Sequence, residues 1–414
     1  MTGRFKLVAL LVVLALVAGG GLVALWSQRD DERPVTILGP WTDTQETQFE
    51  EVLRGLGVPF DYQGTAAQRE VLLSQVQSGE PPDIAIMPGV GELAEYADQR
   101  RLEPLNGLYD ETQYGAPWSS GRTSEHVYWV PVKADLKSIV WYRKGNEPTG
   151  GPAPLESWCI GMGDDGASGW PGSDWIEDLV LQGSGPKAYS DWVLGRDEWT
   201  DEPVLTAWKA WGELLEENPG AAERAVLTDH RGDPDRNGLL FAGWQDGCTL
   251  EHQGSFARAF YGEQEAGLTD SAALLPGGPY EVRAHEVTGD FAALFSDRPR
   301  ARELIGKLAS RDGQRAWATH ANVFSANNAV PAKAGDVGRA IAKRLTGEEG
   351  KPRCLDASDV MAPAVRDAFY EATLLTAARA ADGVDLDIPD LLRDLQRVQD
   401  AQSPTRAGLK RVCG

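Results

Sequence analysis

The sequence predicts an α/β fold built around a parallel sheet, in a chain long enough for two domains. Three observations predict it. The 414 residues allow two domains with cores of their own. Hydrophobic residues make up 42% and charged residues 25%, the balance of a globular protein. Near the N-terminal end of the body, short apolar runs alternate with amphipathic stretches in the order strand, helix, strand, helix, strand. That order requires parallel pairing with right-handed crossovers.

The elements follow in turn. Residues 35–38 (Val-Thr-Ile-Leu) read as a first strand, closed by the loop Gly39-Pro40-Trp41-Thr42-Asp43-Thr44. Phe49, Val52, Leu53 and Leu56 then recur at helical spacing. Residues 58–62 form a second strand ending in Gln63-Gly64-Thr65, a helix covers about 67–78, and residues 83–87 form a third strand closed by Pro88-Gly89. A short helix is expected near 92–98. Ligands on such sheets sit beyond the carboxyl ends of the strands, so the loops around Trp41, Thr65 and Met87 face one crevice. Two extended segments, 128–133 and 138–142, are joined by Ala134-Asp135-Leu136-Lys137. Helices are expected over 204–217, 299–310 continuing through 314–318, 362–381 and 388–399. No internal repeat or low-complexity tract is present.

The stretch Gly169-Trp170-Pro171-Gly172-Ser173-Asp174-Trp175-Ile176-Glu177-Asp178 is the most informative. Pro171-Gly172 is turn chemistry. Asp174 with Glu177 three residues on reads as a helix N-cap and capping box, opening a helix over 175–182. Trp175, Ile176, Leu179 and Val180 would lie on its buried side, leaving Trp170 on the turn. An indole face beside a fixed carboxylate suits a sugar ring, whose apolar face stacks while its hydroxyls bond to the acid. The alternative is that Asp174 only caps its helix and Trp170 is core. The 14 tryptophans are many; most belong in a core, and a surplus in turns points to a binding cleft.

Charge and cysteines bound the function. A net charge of -22 and a pI near 4.7 argue against nucleic acid and against a polybasic membrane patch. Arg4 and Lys6 precede an apolar run over 7–26. A signal-peptide core takes about 7–15 residues and a bilayer span about 20. The run therefore reads as an uncleaved signal anchor with the body outside, or as a signal cleaved near Ala18-Gly19-Gly20. No cysteine stands near residues 15–30 to accept a lipid. Cys159, Cys248, Cys354 and Cys413 form no C-x-x-C pair, so zinc and thioredoxin-like chemistry are disfavoured and two disulfides fit an oxidising compartment. Three pairings are open.

Enzyme readings find little support. Asp164-Asp165 and Asp174 with Glu177 are the available glycosidase carboxylates, but adjacent side chains diverge and the second pair is explained by capping. There is no Gly-x-Ser-x-Gly elbow, no His-Glu-x-x-His and no phosphate loop. Asp233-Pro-Asp235-Arg-Asn237-Gly238 starts like a calcium loop, yet its twelfth position is Trp244 instead of a bidentate Glu, so no metal is assigned. No cofactor is called for.

Read in order, Gly39-Pro40-Trp41-Thr42, Pro82-Asp83-Ile84, Val130-Pro131-Val132-Lys133 with Lys137-Ser138-Ile139-Val140-Trp141-Tyr142, Gly169 through Trp175, Thr288-Gly289-Asp290, Gly313-Gln314-Arg315-Ala316-Trp317-Ala318 and Ser358-Asp359-Val360-Met361 carry a family pattern. The chain resembles the extracellular solute-binding proteins of ABC sugar importers, the maltose-binding-protein-like family 1, in its α-glucoside-binding branch. The resemblance runs from about residue 35 to 399, and the Gly-Trp-Pro-x-x-Asp-Trp stretch is its most specific piece.

That resemblance implies a two-lobed, periplasmic-binding-protein-like fold of type II, with a hinge of crossing segments and a ligand cleft between the lobes. The crossings fall near 133–137, 284–288 and 322–328. Residues 1–33 would be the signal anchor or signal peptide, 34–133 plus 288–324 the first lobe, and 137–285 plus 328–414 the second. All four cysteines then lie in second-lobe segments, which implies Cys159 with Cys248 and Cys354 with Cys413. The implied contacts are Trp41, Thr42, Asp43, Thr65 and Met87 on the first-lobe loops. Lys133 and Asp135 sit at the first crossing, where hinge salt bridges are the alternative. Trp170, Asp174 and Phe256 come from the second lobe. Asp290 would orient a hydroxyl or cap a helix, and Tyr370 would face the cleft from a late helix. The partners implied are a carbohydrate, the permease subunits of an ABC importer, and the membrane through the N-terminal segment. A surface-anchored sugar sensor without a transporter and a glycoside-processing enzyme are the rival readings. The lack of a lipid-accepting cysteine and the insertion at 229–238 depart from the family.

Overall fold

The computed structural model describes residues 33–118, 126–232, 237–241, 247–262, 265–331, 335–402, 409 and 411–414. The apolar N-terminal run and most of the Asp233 loop with Trp244 lie outside the described residues.

The chain opens with β1 (Val35–Gly39), α1 (Asp43–Leu56), β2 (Phe60–Gly64), α2 (Gln68–Ser78), β3 (Ile84–Met87) and α3 (Gly91–Asp98). β1 pairs in parallel with β2 and β3, as the alternation of elements requires. β3 is buried at every residue, which is why Ile84-Ala85-Ile86-Met87 reads as an unbroken apolar run. β2 begins at Phe60 and extends to Gly64, two residues later than the apolar pattern suggests.

Two long strands complete this sheet. β4 (Trp129–Leu136) and β8 (His285–Leu294) pair antiparallel, and β8 also pairs antiparallel with β3. The order is β2-β1-β3-β8-β4, with β9 (Arg353–Leu355) on β8. Ala134, Asp135 and Leu136, expected as a connector, continue β4 and pair with Gly289, Thr288 and Val287. The connector shrinks to Lys137-Ser138, and Ser138 takes the turn with φ 52. A second sheet has the order β6-β5-β7, with β5 (Ile139–Arg143) antiparallel to both β6 (Leu250–His252) and β7 (Ala266–Asp270).

Helices α4 (Trp170–Val193), α5 (Glu202–Glu216), α6 (Pro219–Leu227), α11 (Pro363–Ala381) and α12 (Ile388–Asp400) pack on one another, and α4 meets the second sheet where Trp175 and Asp178 contact His252 of β6. α7 (Pro299–Ala309) and α8 (Arg311–His320) pack on α1. These two do not form one continuous helix. Ser310 breaks them, and its Oγ caps α8 by accepting from Gly313 N. α9 (Asp336–Thr346) and the short α10 (Ala357–Val360) complete the order.

The tryptophans are mostly core. Among the described residues every tryptophan is buried except Trp170. Trp175 stacks on Trp211 with ring centroids 5.0 Å apart and takes the edge of Trp158 at 4.7 Å. Trp199 meets Trp192 at 5.1 Å and Phe369 at 5.0 Å. Disulfides join Cys159 to Cys248 and Cys354 to Cys413. The first ties the segment before α4 to the one before β6; the second fastens the C-terminus to β9. Closing loops of 89 and 59 residues stabilises by about 2–4 kcal/mol each.

Trp175 is 1% exposed. Trp175→Ala is expected to lower unfolding stability by about 3–5 kcal/mol, read from urea denaturation; a loss below about 1 kcal/mol would mean that the indole stack does not hold this region.

Candidate functional site

α4 begins earlier than its sequence suggests. Its N-cap is Gly169, with φ 104, and a Cβ there would come within 2.3 Å of the Tyr370 carbonyl oxygen. Only glycine fits that left-handed, crowded position. Trp170 is therefore the first residue of the helix and does not lie on a preceding turn. Asp174 lies within the helix, not at its cap, and Glu177 closes no capping box. Both carboxylates bind tertiary partners. Asp174 Oδ2 accepts from Lys137 Nζ at 2.6 Å, and Glu177 accepts from the backbone N–H of Ala357 at 2.6 Å and of Ser358 at 3.3 Å. The helix is buried on all sides from Pro171 to Gln182, so it shows no single apolar face.

A cleft of about 1130 Å³ opens beside the start of α4. One end is aromatic. Trp170 is half-buried, and its Nε1 donates to Asp164 Oδ2 at 2.9 Å. The His230 and Phe256 rings meet the indole at 4.9 and 5.9 Å, and Lys137 Nζ lies 4.7 Å from its centroid. Burial lowers the His230 pKa, against the charge of Asp164. Arg231 pairs with Asp229 at 2.6 Å and stands 3.6 Å from Asp164.

The floor is made of buried ion pairs. Lys137 Nζ bridges Asp174 at 2.6 Å and Asp356 at 3.1 Å. Burial works against the Lys137 charge, yet Asp174, Asp356 and Asp359 hold its pKa well above that of an ordinary lysine. Burial raises the Asp174 carboxyl to about 6, against the pull of Lys137. Asp174 Oδ1 has no hydrogen-bond partner. Lys133 Nζ bridges Asp135 at 3.0 Å and Asp290 at 3.5 Å, and Ser255 Oγ donates to Asp135 at 2.8 Å. Burial raises the Asp290 carboxyl against the charge of Lys133.

The lining carries a second set of charges. Arg69 Nε donates to Glu92 at 3.0 Å, and Arg366 reaches the same Glu92 oxygen at 3.3 Å from α11. Tyr370 Oη lies 3.3 Å from Ser358 Oγ. Thr288 Oγ1 donates to Asp359 Oδ2, and Val90 N donates to the Asp359 carbonyl at 2.8 Å.

Of the residues singled out from the sequence, Trp41, Lys133, Asp135, Trp170, Asp174, Phe256, Asp290 and Tyr370 border this cleft. Trp41 does so only by an edge, while its ring packs in the core against Phe49 at 4.5 Å and Trp317 at 4.8 Å. Asp290 lies within β8 and caps no helix. Thr42, Asp43, Thr65 and Met87 are not among the lining residues. Thr42 and Asp43 point to solvent at the head of α1, and Thr65 Oγ1 accepts from Ala67 N at 3.1 Å. Met87 is fully buried in β3, and Pro88 borders the cleft in its place. Lys137, Asp356, Ser358, Asp359, Arg69, Glu92 and Arg366 escaped the sequence reading as contacts. Their partners are remote in the chain, and a lone charge carries no spacing signal.

Chemically, this arrangement offers a polar solute fixed donors and acceptors beside an aromatic face. Of the carboxylates that a glycosidase would use, Asp164 accepts from the Trp170 indole and Asp174 Oδ2 from Lys137. Residues 40–225 match the family model for bacterial extracellular solute-binding protein. The Rhizobium meliloti (strain 1021) protein named alpha-glucosides-binding periplasmic protein AglE is 30% identical over 324 residues, 68% of this chain and 70% of the relative. The chain belongs to the bacterial extracellular solute-binding proteins. The family places this solute-binding protein outside the cytoplasm. It is also similar to the osmoprotective compounds-binding protein GgtB of Synechocystis sp. (strain ATCC 27184 / PCC 6803 / Kazusa), 28% identical over 424 residues, 92% of this chain and 97% of the relative.

Among solved structures, a chitin oligosaccharide binding protein superposes with TM-score 0.67 at 15% identity, covering 88% of this chain and 98% of that one. The maltose-maltodextrin binding protein of Alicyclobacillus acidocaldarius gives TM-score 0.62 at 11% identity, covering 89% of this chain and 100% of the other. The solute-binding protein thus has the two-lobed α/β architecture of these neighbours. No helix among its described residues is long and apolar enough to cross a membrane.

Removing the cation from the floor leaves two buried acids unpaired. Lys137→Ala is expected to destabilise the solute-binding protein by about 3–5 kcal/mol at pH 7, measured by urea denaturation. An unchanged midpoint would show that water already screens this pair.

Proposed function

We propose that this solute-binding protein captures a carbohydrate of the α-glucoside class outside the cell and delivers it to the permease subunits of an ABC importer. The observation that carries the reading is Trp170: the one described tryptophan that is not buried borders a cleft rich in carboxylates. An indole takes the apolar face of a pyranose, and the surrounding acids take its hydroxyls. The α-glucoside class is supported by the relative AglE, named for binding alpha-glucosides. A second reading, an osmoprotective solute, is favoured by the relative GgtB, which matches 92% of this chain.

The lobes in this proposal are residues 34–133 plus 288–324 and residues 137–285 plus 328–414. Lys137-Ser138 after β4, the start of β8 and the segment beside the Ala134–Phe324 bridge would form the crossings. Trp41, Lys133, Asp135 and Asp290 contact the solute from the first side, and Trp170, Asp174, Phe256 and Tyr370 from the second. Thr42, Asp43 and Thr65, outside the cleft lining as it stands, complete the first side when closure brings their loops inward. The N-terminal segment, with Arg4 and Lys6 before its apolar run, holds the body at the membrane.

Trp170→Ala is expected to weaken the best ligand from a panel of maltose, trehalose and small osmolytes at least tenfold, about 1.4 kcal/mol, by calorimetric titration. Normal affinity in that variant would place the sugar platform elsewhere. Saturating ligand should also lower the radius of gyration in small-angle scattering, because both lobes gain contacts in the closed form; an unchanged radius would count against closure.

A further inference from the structure

The loop after β3, Pro88-Gly89-Val90-Gly91, is pressed against the segment that carries α10. A Cβ on Gly89 would come within 2.6 Å of the Asp359 carbonyl oxygen, and one on Gly91 within 2.0 Å of the Met361 carbonyl oxygen. Only glycine lets two backbones approach this closely. Between the two glycines, Val90 N donates to the Asp359 carbonyl at 2.8 Å, and Val90 and Met361 are both buried. An ion pair stands beside this seat. Arg366 of α11, 5% exposed, reaches Glu92 of α3 at 3.3 Å. Thr288 of β8 donates to the Asp359 carboxylate.

The α10 segment is held from its other side as well. Asp356 pairs with Lys137 at 3.1 Å, Glu177 of α4 accepts from Ala357 N at 2.6 Å, and Tyr370 Oη lies 3.3 Å from Ser358 Oγ. In the lobe division proposed above, residues 88–92 belong to the first lobe and residues 356–370 to the second. The seat therefore joins the lobes at a point where the chain does not cross between them. The aromatic end of the cleft differs. Among the described residues, the side-chain partners of Trp170, Asp164 and Arg231 all fall within residues 137–256. None of them belongs to the first lobe.

We propose that this glycine seat is a fixed pivot between the lobes, so that the cleft opens and closes at its aromatic end. The inference rests on the two lobes and their closure as proposed above. Motion is drawn from the parts held by the fewest interactions. Parting the seat would strip a buried backbone hydrogen bond and separate Arg366 from Glu92. Parting the aromatic end breaks no side-chain bond from Trp170, Asp164 or Arg231 to the first lobe. Closure then swings Trp170 toward the loop that bears Trp41, while Ser358 and Asp359, which line the cleft beside the seat, stay in place. Gly89 and Gly91 are positioning residues: they lie outside the cleft lining and act through α10.

The test is residue-resolved amide hydrogen exchange on the unliganded full chain, with small-angle scattering of the same sample. The Val90 amide should exchange as slowly as the β3 amides, because a pivot stays shut while the cleft is open. Gly91→Ala should wedge the seat apart, speed Val90 exchange on the order of tenfold, and enlarge the unliganded radius of gyration. Arg366→Gln, which removes the ion pair and keeps the glycines, is the gentler variant and should shift Val90 exchange in the same direction. Gly306→Ala controls for crowding alone. A Cβ there would meet the Leu108 carbonyl oxygen at 2.7 Å, within the first lobe. That variant should lower the melting temperature and leave both the radius and Val90 exchange as in wild type. A Val90 amide that exchanges as fast as an exposed loop would overturn the proposal, making the seat a latch of the closed form. So would a radius and a Val90 rate unmoved by both Gly91→Ala and Arg366→Gln. A wild-type radius unchanged by the tightest-binding sugar of the panel above would sink closure and the pivot with it. Fast Val90 exchange together with a sugar-dependent radius would sink the pivot alone.

Discussion

The ammonium of Lys137, enclosed between Asp174 and Asp356, is the interaction on which the cleft depends. Taking a charge out of water costs several kcal/mol, and only close opposite charges with good geometry offset it. Here the two carboxylates stand at 2.6 and 3.1 Å. They come from α4 and from the start of α10, while Lys137 comes from the connector between the two sheets. One cation therefore ties together three parts of the chain that share no local sequence. It also lies 4.7 Å from the Trp170 ring centroid, close enough for a cation–π contact. Together with the Asp164 acceptor on the indole N–H and the His230 and Phe256 rings, that charge frames the aromatic end of the cleft.

Around this ion triad the protein uses two kinds of packing. The helical side is filled by large flat rings, with Trp175, Trp211, Trp192, Trp199 and Trp208 all but fully buried. Such rings bury much apolar area and meet edge to face or offset, which fixes the angles of the helices that carry them. Trp208 also satisfies its N–H, donating to Thr376 Oγ1 at 3.1 Å. The first-sheet side combines short aliphatic runs in β1 and β3 with its own aromatic cluster of Trp41, Phe49 and Trp317. The cleft lies where these regions meet, and there the lining changes to acids paired with Lys133, Lys137, Arg69 and Arg366. Those basic groups are already paired, so the groups left to meet a solute are mostly acceptors. One of them, Asp174 Oδ1, is buried without a partner, and a solute hydroxyl would satisfy it.

The strands and most helices were legible because their signals are local. Val35-Thr-Ile-Leu and Ile84-Ala-Ile-Met announce themselves by apolar runs between turn residues, and α1 by Phe49, Val52 and Leu53 at helical spacing. Turn chemistry misled where a tertiary contact overruled it. Pro171-Gly172 looked like a turn, but Pro is well tolerated in the first turn of a helix. Gly169, pressed against the Tyr370 backbone, is the residue that stops the chain before α4. Ala134-Asp135-Leu136 looked like a connector because nothing local reveals that β8 lies alongside.

The sequence by itself determined the α/β class, the order of the elements and the residues with side chains suited to a polar solute. It did so because hydrophobic periodicity and residue chemistry are properties of neighbours along the chain. Tertiary structure alone decided what those side chains do. It turned Asp174 from a presumed cap into the partner of a buried lysine, and it packed the Trp41 ring between Phe49 and Trp317. It sealed Met87 inside the sheet and brought Arg69, Glu92 and Arg366 to one wall. Burial and charge pairing depend on which distant segments meet in space, and no spacing along the chain encodes that.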